Sequence, residues 1–315
     1  MRIELLSTIN NHYVVPFRVV VQSLLDHVGP GISLRWHVWH RGMSDGLKNQ
    51  VERHETDADL EFVWYETEDT SNELPVRGHF VPHVYTRLYA PECLPDDVTR
   101  FIYVDGDLLV LDDISTLWST DLNGAILAAV QDLAVPHVSS PMGLKHFSAL
   151  GFDASDRYFN AGVYVADVEA WRDARISAAA DRYVAEYSDA INLLDQDVLN
   201  AIIKGRWKPL DYRWNLVSGP AGRDFCLTEE LDTAQLERAV ADPGIVHFAG
   251  LLKPWIYPAL GSPWADHYNR VLRRLYPEHQ LNRSVRARGI SLYDRYLRNY
   301  THGIEKSIWC ARRGF

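Results

Sequence analysis

The first sixty-five residues of this chain alternate between two hydrophobic periods. Apolar, β-rich runs at Ile3 to Ser7, Leu34 to Trp39 and Leu60 to Tyr65 are separated by segments with helical spacing, Phe17 to Leu25 and Ser44 to His54. A βαβ rhythm of this kind implies an α/β fold, with a mixed, mostly parallel sheet flanked by helices. At 315 residues the chain has room for one main sheet and an appendage.

The pattern continues with a helical stretch at Tyr85 to Cys93, a strand at Phe101 to Val104 and an apolar run, Ala125 to Val130, that ends in Gln131-Asp132. Pro136 to Asp156 is polar and punctuated by Pro, Gly and Ser, which makes it a loop long enough to act as a lid. Gly162 to Ala166 is expected as a strand, Val168 to Trp171 as the opening of a helix and Ile245 to His247 as a short buried strand. Asp195 to Ile203 has helical spacing, with Asp195 placed to cap it and favour its dipole.

The strand at Phe101 runs straight into Asp105-Gly-Asp107. Residues i and i+2 of an extended chain point the same way, so both carboxylates can face one hard divalent cation. Open α/β sheets bind ligands beyond the carboxyl ends of their strands, and a cation there can hold a diphosphate. Asp-Gly between two apolar runs is equally a type I′ hairpin signal, and these seven residues alone do not separate the two readings.

Three further stretches bear on chemistry. His247-Phe-Ala-Gly-Leu-Leu-Lys-Pro-Trp255 places an imidazole, a permissive glycine and a lysine just after a strand. Alone it reads as a satisfied polar residue and a packed Pro-Trp; beside two aspartates it offers a third metal ligand in His247 and a phosphate partner in Lys253. Phe159-Asn-Ala-Gly-Val-Tyr164 and Leu194-Asp-Gln-Asp-Val-Leu-Asn200 carry amides suited to hydroxyl-rich ligands, although Asn160 also suits a turn and Asp195 a cap.

As an ordered set these four stretches resemble glycosyltransferase family 8, the retaining GT-A enzymes that use sugar nucleotides, over roughly Met1 to Leu275. The resemblance implies Mn²⁺ or Mg²⁺ held by Asp105, Asp107 and His247, with Gly250 and Lys253 on the diphosphate of a UDP-sugar. It implies donor contacts from Arg87 and His79. Asp132, Asn160, Asp195 and Gln196 would surround the donor sugar, with Gln196 against the anomeric face opposite the leaving group. Relatives usually read the uracil with an aspartate after the first strand; here Ser7 to Tyr13 holds no carboxylate. Asn10 or Asn11 is then expected to bond the uracil edge and Tyr13 to stack on it.

The expected reaction moves a hexose, galactose or glucose, from a UDP-hexose to a saccharide or glycolipid acceptor. The resemblance puts Asp132, Asp195 and Gln196 at the reacting centre. Gln196 is a neutral amide and a poor nucleophile, so retention favours front-face attack, with the diphosphate taking the acceptor's proton. Two alternatives stand beside this reading. A nucleotidyltransferase also uses paired aspartates and a metal, but residues 7 to 15 lack the glycine and basic residues of a phosphate loop. A sugar-nucleotide-binding protein without transfer activity has no need of Asp105, Asp107, His247 and Lys253 together.

No apolar run approaches the roughly 18 residues of a membrane span. Met1 to Leu6 has neither the apolar core nor the cleavage site of a signal peptide, and three scattered cysteines suggest no disulfide framework. A cytoplasmic protein is expected. From Arg270 onward eleven basic residues face three acids, +8 against a chain total of −10, so the first 269 residues carry −18. An acidic body disfavours nucleic acid. The division expected is a catalytic domain over 1–275 and a basic amphipathic helical tail over 276–315. Ile290, Tyr293, Leu297, Tyr300, Ile304 and Ile308 share one helical face of that tail. Such a helix either docks on the body or lies peripherally on an anionic membrane.

Overall fold

The computed structural model describes residues 1–67, 85–217, 231–250, 253–256 and 263–277. Its first strand, β1 (Arg2–Ile9), sends Ile3, Leu5 and Ile9 into one apolar cluster and Leu6 into another. A period of two with both faces buried is how an interior strand of a helix-covered sheet reads. α1 (Val14–Leu25) buries Phe17, Val20, Val21 and Leu24 against the first of those faces. The unit repeats through β2 (Ser33–His40), α2 (Asp45–Glu52) and β3 (Asp59–Glu66), as the alternating periods require.

Beyond α3 (Thr86–Tyr89) come β4 (Arg100–Val104), β5 (Leu108–Val110), α4 (Ser115–Trp118), β6 (Leu127–Gln131) and β7 (Phe159–Asp167). The chain then forms α5 (Val168–Asp173), α6 (Ile176–Tyr187), α7 (Asp195–Ile203), β8 (Trp207–Pro209) and β9 (Leu216–Val217). It continues through α8 (Thr233–Ala241) and β10 (Ile245–His247) to α9 (Pro263–Leu275). β8 and β9 are too short for their periods to be read. α6 buries Ile176, Ala180, Tyr183 and Val184 at helical spacing, but the alanines blur its apolar stripe in the sequence.

The main sheet has seven strands in the order β3-β2-β1-β4-β7-β6-β8. Among the described residues β1 pairs parallel with β2 and β4, and β6 with β8, and only β7 runs antiparallel to both its neighbours. Chain order reverses between β1 and β4, and the carboxyl ends of those two strands therefore flank the crevice where open sheets take ligands. Asn10 stands at the end of one and Asp105 at the end of the other.

A second sheet of three strands, β5-β10-β9, lies beyond that crevice. β5 pairs with β10, not with β4, and that excludes the hairpin reading of Asp105-Gly-Asp107. The Asp-Gly-Asp segment is instead the link by which the chain leaves one sheet for the other. The stretch between β6 and β7 is a loop, as expected, but Val135, Val138, Leu144 and Phe152 are buried in the second apolar cluster. Those anchors make it a fixed wall rather than a free lid. Of the tail expected over 276–315, residues 278–315 lie outside the described residues.

Candidate active site and metal centre

Pairing between β5 and β10 sets His247 opposite Leu108, and the Phe248 N–H donates to the Asp107 carbonyl at 3.0 Å. This register carries His247 to the Asp-Gly-Asp link although the two are far apart in sequence. Its Nε2 lies 3.3 Å from Asp107 Oδ1 and 3.9 Å from Asp105 Oδ2. One ligand atom from each of Asp105, Asp107 and His247 falls within 4.8 Å of the others, so the three can hold a metal ion. Two carboxylates and an imidazole are a donor set for a divalent cation and leave coordination positions for further oxygen ligands.

Two glycines make room for this centre. A Cβ on Gly162 of β7 would lie 2.3 Å from His247 Cε1, and one on Gly106 would lie 2.8 Å from Tyr13 Cδ1. Tyr13 thus packs on the Asp-Gly-Asp link itself, and also meets the Trp255 ring edge-on at 6.2 Å.

Cations compensate the carboxylates. Lys253 Nζ lies 2.5 Å from Asp107 Oδ2 and donates to the Phe248 carbonyl at 2.7 Å. Burial pushes the Asp107 carboxyl up, but Lys253 and His247 outweigh it and hold the group well below the usual carboxylate range. Arg87 Nη2 donates to Asp105 at 2.8 Å, Nη1 to the Ala161 carbonyl at 3.0 Å, and Nε lies 2.8 Å from Asp195 Oδ2. Its guanidinium stacks 4.4 Å from the centre of the Tyr103 ring. One guanidinium shared by two carboxylates compensates neither fully. Burial pushes Asp195 up to about 6 against the pull of Arg87, and Asp105 adds to the rise.

A second group of polar side chains adjoins the first. Asp132, just past β6, accepts the Ala134 and Val135 N–H groups on Oδ1, at 2.8 and 2.9 Å. Its Oδ2 accepts from Asn160 Nδ2 at 2.8 Å and Gln196 Nε2 at 3.1 Å. Gln196 Oε1 in turn accepts the Ala161 N–H at 3.0 Å, so that amide is held at both ends. Asp195 does not cap α7. Leu194 is the cap residue, at φ 55° and ψ −128°, and Asp195 is the first helical residue with its carboxylate on Arg87. Asp197 takes the local role, accepting the Asn192 and Leu193 N–H groups at 2.6 and 3.0 Å and the Tyr158 hydroxyl at 2.6 Å. A non-glycine residue at positive φ beside Asp195 and Gln196 is the kind of backbone strain that clusters at functional sites.

Of the remaining sequence candidates, Asn10 accepts the His12 N–H at 2.9 Å at the mouth of β1. Gly250 has φ +81°, which favours glycine, with nothing within 4 Å of where a Cβ would lie. His79 lies outside the described residues. Asn215, fully buried between His247 and Asn160, was missed. No spacing in the sequence ties it to either partner.

The model of the family described as Glycosyl transferase family 8 matches residues 4–259. General stress protein A of Bacillus subtilis (strain 168) is 28% identical over 269 residues, covering 84% of this chain and 91% of that protein. Lipopolysaccharide 1,2-glucosyltransferase of Escherichia coli (strain K12) is 27% identical over 253 residues, covering 75% and 71%. Among solved structures, galactosyltransferase LgtC in complex with donor and acceptor sugar analogues superposes with a TM-score of 0.73 at 24% identity, covering 90% of this chain and 99% of that one. That likeness establishes the architecture.

Proposed function

Because this chain belongs to glycosyltransferase family 8 and has its GT-A fold, we propose that it is a retaining hexosyltransferase moving galactose or glucose from a UDP-sugar to a saccharide or glycolipid acceptor. The observation that carries this is the meeting of Asp105, Asp107 and His247 within 4.8 Å at the sheet's switch point. Lys253 beside Asp107 and the Asp132, Asn160 and Gln196 group next to it supply the other half. The names of two similar proteins, a lipopolysaccharide glucosyltransferase and a galactosyltransferase, favour a hexose and a surface-glycan acceptor.

Asp105, Asp107 and His247 would hold Mn²⁺ or Mg²⁺, and when bound such a cation offsets the charge on a departing diphosphate. Lys253, whose Nζ lies beside Asp107, would add a second positive charge there. Tyr13 and Asn10, just past β1, would take the base, and Gly250 would let the backbone approach the phosphates. Gln196 is a neutral amide whose oxygen and nitrogen are both engaged, which leaves it to orient the sugar and not to attack it. Front-face attack by the acceptor, with its proton passing to the leaving diphosphate, then accounts for retention without a covalent sugar on the protein.

Arg87 holds Asp105 and Asp195 together, 2.8 Å from each carboxylate. The test is Mn²⁺-dependent release of UDP from a panel of UDP-sugars by the full chain and by Asp107→Ala. Release by the wild type and its loss in the variant are expected; undiminished turnover in Asp107→Ala would sink the assignment. The 1–275 catalytic domain and the basic 276–315 tail, docked on the body or lying on an anionic membrane, belong to the same proposal. Among the described residues no helix is long and apolar enough to cross a membrane.

A further inference from the structure

His247 presents Nε2 to Asp105 and Asp107, and its other ring nitrogen, Nδ1, lies 3.0 Å from Asn215 Oδ1. Which of the two nitrogens carries the proton is decided by what faces Nδ1. The amide of Asn215 can be oriented from donors and acceptors whose direction is not in question. The Gly162 backbone N–H can only donate, and it points at Asn160 Oδ1 at 2.9 Å. The other end of the Asn160 amide donates to Asp132 Oδ2, so both ends of that side chain agree. Asn160 Oδ1 then accepts from Asn215 Nδ2 at 2.8 Å, and this leaves Asn215 Oδ1 toward the imidazole. An amide oxygen can only accept, so Nδ1 must carry a proton.

We infer that Asn215 is the positioning residue of the cation site: its amide, oriented through Asn160 by the Gly162 N–H and Asp132, keeps the proton of His247 on Nδ1 and so frees the Nε2 lone pair for a divalent cation between Asp105 and Asp107. The inference rests on the metal-site reading above and deepens it. Asn215 is fully buried in a short 3₁₀ turn just before β9. Partners of this kind commonly change metal affinity about 10- to 100-fold when removed. The same chain of amides ends on Asp132 and Gln196, which ties the orientation of the cation's histidine to that of the groups next to the sugar.

The test uses Mn²⁺ alone, titrated into the full chain and followed by the electron paramagnetic resonance of the free ion. His247→Ala is expected to weaken binding, and Asn215→Leu to weaken it about 10- to 100-fold. Asn215→Asp keeps an oxygen on Nδ1 but sets a second acceptor against Asn160 Oδ1, so it is expected to recover part of that loss, which a merely structural asparagine would not allow. A second readout needs no variant of Asn215: the two-bond ¹H–¹⁵N spectrum of histidine-labelled wild type with diamagnetic Mg²⁺, with His247 assigned by its disappearance in His247→Ala. A protonated Nδ1 is expected.

If Asn215→Leu binds Mn²⁺ as the wild type does while His247→Ala does not, or if Nδ1 is bare, the inference is overturned and the cation site stands. If wild type and His247→Ala behave alike, the cation site itself is wrong and the inference falls with it. Should Asn215→Leu fail to fold, the spectrum decides.

Discussion

Gly162 and His247 are in contact with no room for a single added carbon: a Cβ on the glycine would sit 2.3 Å from Cε1 and 2.6 Å from Nδ1 of the imidazole. The glycine lies in β7 of the main sheet and the histidine ends β10 of the small one. Their close approach is what lets the two sheets share one candidate metal centre.

Gly162→Ala is therefore expected to push the imidazole off its position. Overpacking of a rigid site costs about 1–3 kcal/mol, which urea unfolding will read. The affinity for Mn²⁺ is expected to fall about tenfold or more, since the Asn215 bond is lost with the movement. Wild-type affinity in this variant would show that the histidine is not held as described.

Arg87 braces Asp105 and Asp195 from a buried position, with both carboxylates 2.8 Å from its nitrogens. Removing one partner of a buried ion pair leaves uncompensated charge, at a cost of about 3–5 kcal/mol. Arg87→Met is expected to lose that much stability, and Arg87→Lys to recover little because an ammonium cannot span two carboxylates. Adding Asp195→Asn to Arg87→Met is expected to restore part of the loss. Strict additivity of the two substitutions in a denaturant double-mutant cycle would contradict the shared brace.

Asp195 binds its proton more tightly in the folded chain, at about 6, than an ordinary aspartate at 3.8. Folding thus takes up a proton between those values. The stability owed to the protonated form is present below about pH 4 and is lost as pH rises through about 6. The unfolding free energy of the metal-free wild type relative to Asp195→Asn is expected to fall by on the order of 2–3 kcal/mol over that window. Equilibrium urea unfolding at pH 4, 5 and 6.5 will measure it, and parallel pH dependences would refute it.

Binding of Mn²⁺ to the folded chain alone must raise its thermal stability. At a concentration 100-fold above the dissociation constant the gain is about 2.7 kcal/mol, or about 5 °C for a chain of this size. The shift is expected to vanish in Asp107→Ala and to reverse with a chelator. An equal shift in Asp107→Ala, followed by scanning calorimetry, would place the ion elsewhere.

Much of this protein was legible in advance, element by element. β1, β2 and β3 and the helices between them follow from alternating periods, because strands buried on both faces and helices buried on one leave different marks. α7 and β10 begin and end where their apolar spacing does. The chemistry of Asp105, Asp107, His247 and Lys253 was visible as residue types at suggestive spacings. Asp195 reads in the sequence both as a cap and as a site residue, because capping is the local default for an aspartate at a helix start. The buried guanidinium that claims it comes from α3, outside any sequence window.

Sequence alone thus determined the fold class, the strand ends and the side chains available at them. These depend on local period and intrinsic chemistry. What tertiary structure decided is partnership. Whether Asp105-Gly-Asp107 turns a hairpin or links two sheets depends on β5 finding β10 and not β4, a pairing of segments more than a hundred residues apart. The same pairing gives Asp107 its histidine and its lysine. Asn215, which no local pattern marks, then orients that histidine because folding buries the two side by side with no water between them.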